Sequence, residues 1–253
     1  MVSTPASGLA VQWILAKREF VRTVRQPSRI VAAIATPALI WIVLASGFAD
    51  SFAPPGADGS YGAFLVPGMA VMVVVFGSVF GAIALIEDKR EGFLQGVMVG
   101  PAPRWAIGQG KLVAASLITW LQGLVVLLLA LPYSHASIGG WWHAALVLGA
   151  VSFGVNGLAL AFAWRMNSVA GFHGVMNLVL MPMWLLSGSV FPRDGAAGWM
   201  GAVMSINPLT HCTEAIRAAL TGTPPNSTQW AATLFVAAAG VALATLSVPK
   251  RRL

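Results

Sequence analysis

Six stretches of this chain, 30–48, 64–86, 112–131, 142–164, 169–191 and 230–248, contain no Asp, Glu, Lys or Arg over about 19 to 23 residues each. A helix rises about 1.5 Å per residue, so each stretch spans a hydrocarbon core of about 30 Å. Charged residues make up 9% of the chain, against about 25% in soluble domains. The expected fold is an all-α, polytopic membrane protein with six transmembrane helices. The segments between the spans are too short to bury a core of their own, so 1–253 reads as a single transmembrane domain.

The net charge of +7 raises the question of nucleic acid, and its distribution answers it. With the N-terminus in the cytoplasm, the inner segments hold Lys17, Arg18, Arg22, Arg25, Arg29, Lys89, Arg90, Arg104, Lys111, Arg165, Lys250, Arg251 and Arg252. The outer segments hold only Arg193 and Arg217. That bias obeys the positive-inside rule and places both termini in the cytoplasm of a cell whose cytoplasmic (inner) membrane holds the chain. The basic excess then serves topology and anionic lipid heads, with the bilayer as partner and no nucleic acid. The single cysteine, Cys212, forms no internal disulfide. Residues 17–29 and 30–48 mimic a signal peptide, but 19 apolar residues are long for its apolar region, and 30–48 reads as the first span.

Residues 8–29 read as an interfacial amphipathic helix. Leu9, Trp13, Ala16, Phe20 and Val24 form an apolar stripe, and Arg18, Arg22, Arg25 and Arg29 a basic one. The connector 49–63 holds Asp50, Pro54, Pro55, Gly56, Asp58 and Gly59 and is a turn. The link 165–168 is so short that spans four and five are expected to pack as an antiparallel hairpin. The outer segment 192–229 reads as a helical hairpin folded back onto the membrane. Trp199, Met200, Val203 and Met204 form an apolar patch, and Asn207 is an N-cap with Pro208 at the first helical position. That helix runs to about Leu220 and ends at Gly222.

The segment 87–105 is the most distinctive. Five consecutive charges, Glu87-Asp88-Lys89-Arg90-Glu91, are followed by Gly92 and an apolar run with Phe93, Leu94, Val97 and Met98. Pro101 and Pro103 stop it. This is a short helix parallel to the membrane, which either docks a cytoplasmic partner or hugs the bilayer. The segment resembles that of ABC-2 type exporter permeases, in particular their daunorubicin-resistance and nodulation-factor export branch. Two further stretches share the resemblance: Leu186-Ser187-Gly188-Ser189-Val190-Phe191-Pro192, and Asn207-Pro208-Leu209-Thr210 followed by Glu214 and Arg217. The resemblance covers nearly the whole chain. It implies that 87–105 is a coupling helix seated in a cleft of a separate ATP-binding subunit, contacted by Glu87, Arg90, Glu91, Gly92, Phe93, Leu94 and Gln95. The family pattern has an acid near Gln95, which this chain lacks. It also implies a second permease copy, identical or homologous, and an outer re-entrant hairpin in 192–229. ATP and magnesium would sit on the partner, with no cofactor in this chain.

The residues themselves exclude some alternatives. Gly110-Lys111 does not complete a phosphate loop, because Trp105 and Leu112 occupy the positions of its first glycine and final hydroxyl. Lys111 then reads as a snorkelling anchor. All eight acids lie outside the six spans, against an ion-coupled carrier. Within the spans, Asn156, His173, Asn177 and Ser187 are candidates for a substrate path. His173 and Asn177 share a helix face, and they and Gln122 serve equally as interhelical hydrogen-bonders. Met176, Met181 and Met183 leave open a soft-metal or assembly-factor export role, with no metal site assigned. Gly77 and Gly81 form a GxxxG pair, within or between subunits. A serine intramembrane protease would need Ser187 and His211 paired, with no motif around either. The reading is a transport subunit without catalytic residues, moving an amphiphile such as a drug, lipid or lipid-linked saccharide.

Overall fold

The computed structural model describes residues 7–48, 60–134, 136–194 and 196–249. Most of the turn-rich connector, 49–59, and the terminal basic residues 250–252 lie outside the described residues. The order is α1 (Gly8–Val24), α2 (Pro27–Gly47), α3 (Tyr61–Arg90), α4 (Phe93–Val99), α5 (Arg104–Leu127), α6 (Ile138–Arg165), α7 (Val169–Trp184), α8 (Gly198–Ile206), α9 (Pro208–Leu220) and α10 (Ser227–Leu246). Six of these, α2, α3, α5, α6, α7 and α10, are long and apolar enough to cross a membrane. Ser60, Ser137 and Ser168 cap α3, α6 and α7 by accepting a backbone N–H three residues on, as short hydroxyl side chains do at helix starts.

At the centre stands α3. It is apolar around its whole circumference and buried along most of its length, packing on α2, α5, α6 and α7, as expected of an all-round apolar helix. By contrast α2 and α7 are largely exposed and lie at the periphery. The tightest pair is α6 with α10. A Cβ on Gly157 would fall on the Gly240 backbone, and one on Gly240 would strike the Phe153 carbonyl. Small residues let two backbones meet where lipid offers no hydrophobic drive.

That contact corrects the expected hairpin of spans four and five. The face of α6 is occupied by α10, so α7 turns away after the short link and packs on α3. The element bounds shift as well. Residues 87–90 are the last turn of α3, and α5 begins at Arg104. The fifth span leaves the α-helix after Trp184, where Leu185–Ser189 form a π-turn with Gly188 at φ 71°. The outer hairpin forms as α8 and α9, with Asn207 capping α9 and Pro208 opening it.

Candidate functional site

Glu87, Asp88 and Lys89 are consecutive on α3, so their side chains point about 100° apart and meet three different neighbours. Asp88 is fully buried. It accepts from both terminal nitrogens of Arg18 at 3.2 and 3.3 Å, from Arg22 at 2.8 Å, and from Lys111 of α5. Lys111 and Arg18 also bind Glu19, at 3.0 and 2.5 Å. Glu87 pairs with Arg22 at 3.2 Å and with Arg29 of α2 at 3.0 Å. On the third side, Lys89 Nζ donates to the carbonyls of Ala163, Trp164 and Met166 at 3.3, 2.9 and 3.0 Å. A cation thus closes the negative end of α6.

The cluster revises two sequence expectations, the anchor role of Lys111 and the lipid-facing role of the basic stripe. Lys111 is buried within an ion network and does not snorkel. On α1, Leu15, Ala16 and Glu19 are buried against the bundle, while Leu9 and Trp13 of the apolar stripe stay 71% and 69% exposed, open to a bilayer surface. Arg18, Arg22 and Arg29 neutralise carboxylates here, leaving Lys17 and Arg25 as the exposed cations of this region. The cause is Asp88: a buried carboxylate is tolerable only with its charge matched and its oxygens bonded.

The same cluster holds α4. Gly92, at φ 79°, makes a left-handed turn that most residues disfavour, and the chain leaves α3 at an angle. Phe93 then lies beneath the Arg18 guanidinium, 3.6 Å from the ring centroid, a cation–π contact, and Leu94 is fully buried. Arg90, Glu91, Gln95, Gly96 and Val99 remain exposed, Val99 at 70%. The seven residues implied for partner contact therefore divide. Arg90, Glu91 and Gln95 face outward, Gly92 sets the turn, Phe93 and Leu94 anchor the helix, and Glu87 belongs to the ion cluster.

The four candidate path residues are not brought together. Asn156 is buried between helices, its Nδ2 donating at 2.8 Å to Thr119 Oγ1 of α5 and to the Ser152 carbonyl. Gly77 and Gly81 pack against Thr119, Gln122 and Ala115 of the same chain, so the GxxxG pair serves an internal contact. Ser187 is buried in the π-turn, donating to the Trp184 carbonyl at 2.6 Å, with Ser189 Oγ also 2.6 Å away. His173 and Asn177 are exposed on the outward face of α7 beside Gly174 and Leu178.

On the side of the molecule opposite α1 and α4, the π-turn frees backbone carbonyls that α9 satisfies. Asn207 Nδ2 donates to Met183 O at 2.6 Å and Leu186 O at 3.0 Å, Thr210 to Leu186 O at 3.2 Å, and Arg217 to Gly188 O at 2.8 Å. Irregular backbone persists at membrane depth only when protein supplies such partners. Arg217 also lies 4.0 Å over the Phe64 ring and donates to Phe64 O, and Tyr61 Oη donates to Val190 O at 2.8 Å. These contacts tie α9, the α7 break and the start of α3 together.

Residues 11–221 match the ABC-2 type transporter family. The chain belongs to that family. It is 25% identical over 215 residues to a protein named as a transport permease, ycf38, of Cyanophora paradoxa, covering 81% of this chain and 72% of that one. It is 24% identical over 200 residues to the daunorubicin resistance ABC transporter permease protein DrrB1 of Streptomyces coeruleorubidus, covering 78% and 70%. To nodulation protein J of Neorhizobium galegae it is 26% identical over 231 residues, covering 88% and 87%. This ABC-2 chain is thus a multi-pass membrane protein with a transport permease role.

Ser187 and His211 are not paired, since His211 Nε2 bonds the Ser205 carbonyl at 3.0 Å. Among the described residues no group of three His, Cys, Asp or Glu is placed to hold a metal ion. Met176 is buried in packing, and Met181 and Met183 are half-buried.

Sequence reasoning missed the centrality of Asp88, the burial of Lys111, and the glycines at 154, 157 and 240. One signal was available for Arg217. A lone arginine among apolar residues on the side poor in cations departs from the topology bias, and such a residue needs a structural reason.

Proposed function

We propose that this ABC-2 permease is the membrane-spanning subunit of an ATP-driven exporter in the cytoplasmic membrane, with both termini cytoplasmic. A separate ATP-binding subunit holds ATP and magnesium and docks on the exposed positions of α4. The observation that carries this reading is the division of α4. One side is fixed to the permease by Phe93 and Leu94 under the ion cluster, and the other side presents Arg90, Glu91, Gln95 and Val99 to the medium. A push on that outer side reaches α1, α3 and α5 through Arg18 and Asp88.

A second permease copy faces the outward side of α7. His173 and Asn177 are hydrogen-bonding groups on a spanning helix, costly against lipid tails, and a second copy across from them encloses a path. His173 and Asn177 lie in the first half of α7 on this face, with Leu178 beside them and Leu185 about two turns beyond. That gradient suits an amphiphile whose head stays at the inner leaflet, in keeping with a relative named for daunorubicin resistance. Co-purification tests the docking: Glu91→Lys with Val99→Asp should lose the ATP-binding subunit while the permease inserts and melts as wild type. Unchanged recovery of that subunit would refute it.

A further inference from the structure

A partly open, largely apolar cavity of about 40 Å³ runs up from the ion cluster between α1, α2, α3 and α5. Of its lining residues, Thr23 and Arg29 are half-exposed at the charged end, and Ile30, Phe80, Gly81 and Ala115 are half-exposed further along. Lys111, Ala115, Ile118 and Gln122 line one wall from α5. Lys111 and Gln122 are eleven residues apart, so the wall climbs roughly 16 Å toward the middle of the bilayer. At its inner end Gln122 is 7% exposed, and its Oε1 is buried with no hydrogen-bond partner. It lies 2.9 Å from where a Cβ on Gly77 would sit, so only a glycine at 77 leaves room beside it.

A buried amide oxygen left unpaired costs about 1–3 kcal/mol, and lined cavities of this kind fill with water when they are polar and roomy enough. One water needs about 10–15 Å³ of such volume. We propose that the cavity is a hydration site inside each subunit. It holds about three waters, admitted past Thr23 and Arg29, the innermost of which donates to Gln122 Oε1. The ligand is water or a hydrogen-bond donor no larger, because the volume admits neither a drug nor a lipid head. This inference does not depend on the ATP-binding partner.

Silver ion is close to water in size and reacts with thiolates, which form only where water reaches. On a Cys212→Ser background, Ala115→Cys and Ile118→Cys place thiols in the cavity wall. Leu117→Cys and Leu121→Cys place them at similar depth on the 40% and 42% exposed outer side of α5. Membrane vesicles exposing the α1 side are treated with silver, then unfolded and alkylated, and the mass shift is read. Both cavity thiols should lose at least tenfold in alkylation, with both outer thiols unaffected. Using two cavity positions guards against one variant misfolding. Cavity thiols alkylated as fully as the outer pair, in protein that elutes and melts as wild type, overturn the proposal, as does equal protection of all four.

Discussion

Asp88 is the residue on which most of the charged end depends. Three cations from two other helices converge on one buried carboxylate. Removing it leaves Lys111 charged, buried and matched only by Glu19. Breaking a buried pair from one side costs about 3–5 kcal/mol. Asp88→Ala should therefore lower the melting temperature in detergent sharply. Asp88→Ala with Lys111→Met should recover much of the loss, because the uncompensated charge has gone. Failure of the double variant to recover would mean that Lys111 is not the charge Asp88 balances. Lys89 makes a different contribution. Its ammonium satisfies three carbonyls at the end of α6, and Lys89→Met should cost about 1–3 kcal/mol without touching the Asp88 cluster. Neither role was legible in the sequence, where 87–91 is a run of charges. Mixed charge suggests a solvated loop, and only the 100° step per residue, applied to a helix that continues to Arg90, shows that Glu87, Asp88 and Lys89 each have their own partners.

Among the elements, the helices themselves were legible because uncharged length is a strong signal, and so were Asn207-Pro208 and the short helix after Gly92. What the sequence left hidden were contacts between elements. The glycines 154, 157 and 240 lie on different helices, and only their meeting explains why α10, not α7, covers α6. A side chain at that contact must push the helices apart, and overpacking costs about 1–3 kcal/mol or more. Gly240→Leu should reduce the yield of folded protein while Gly198→Leu, in open space, should not. The basic stripe of α1 misled for a physical reason. Period alone does not say whether basic residues face lipid heads or buried acids, and here the acids lie seventy residues away. On α4, Leu94→Asp places a charge in a fully buried position and should lower thermal stability by several degrees. Gln95→Asp, facing outward, should leave it unchanged. A comparable melting temperature for both would remove the distinction between the anchoring and presenting sides.

For the whole molecule, topology and assembly follow from the placement of these faces. The basic segments and α4 lie on one side, and α8 and α9 on the other. On a Cys212→Ser background, an impermeant thiol reagent applied to intact cells should label Thr223→Cys and miss Gly92→Cys. Labelling at 92 would reverse the orientation. The fold class was readable from hydropathy, and the family from the order of its segments. The outward placement of His173 and Asn177 was not, because their four-residue spacing does not say which face of α7 packs on α3 and which turns away.

The most direct test of the account is ATP hydrolysis by the purified permease in lipid nanodiscs, alone and with its ATP-binding subunit. The account predicts no hydrolysis by the permease alone. With the subunit, hydrolysis should respond to transported substrate, and the Glu91→Lys, Val99→Asp double variant should abolish that response. Hydrolysis by the permease alone, or a full substrate response from the double variant, would contradict it.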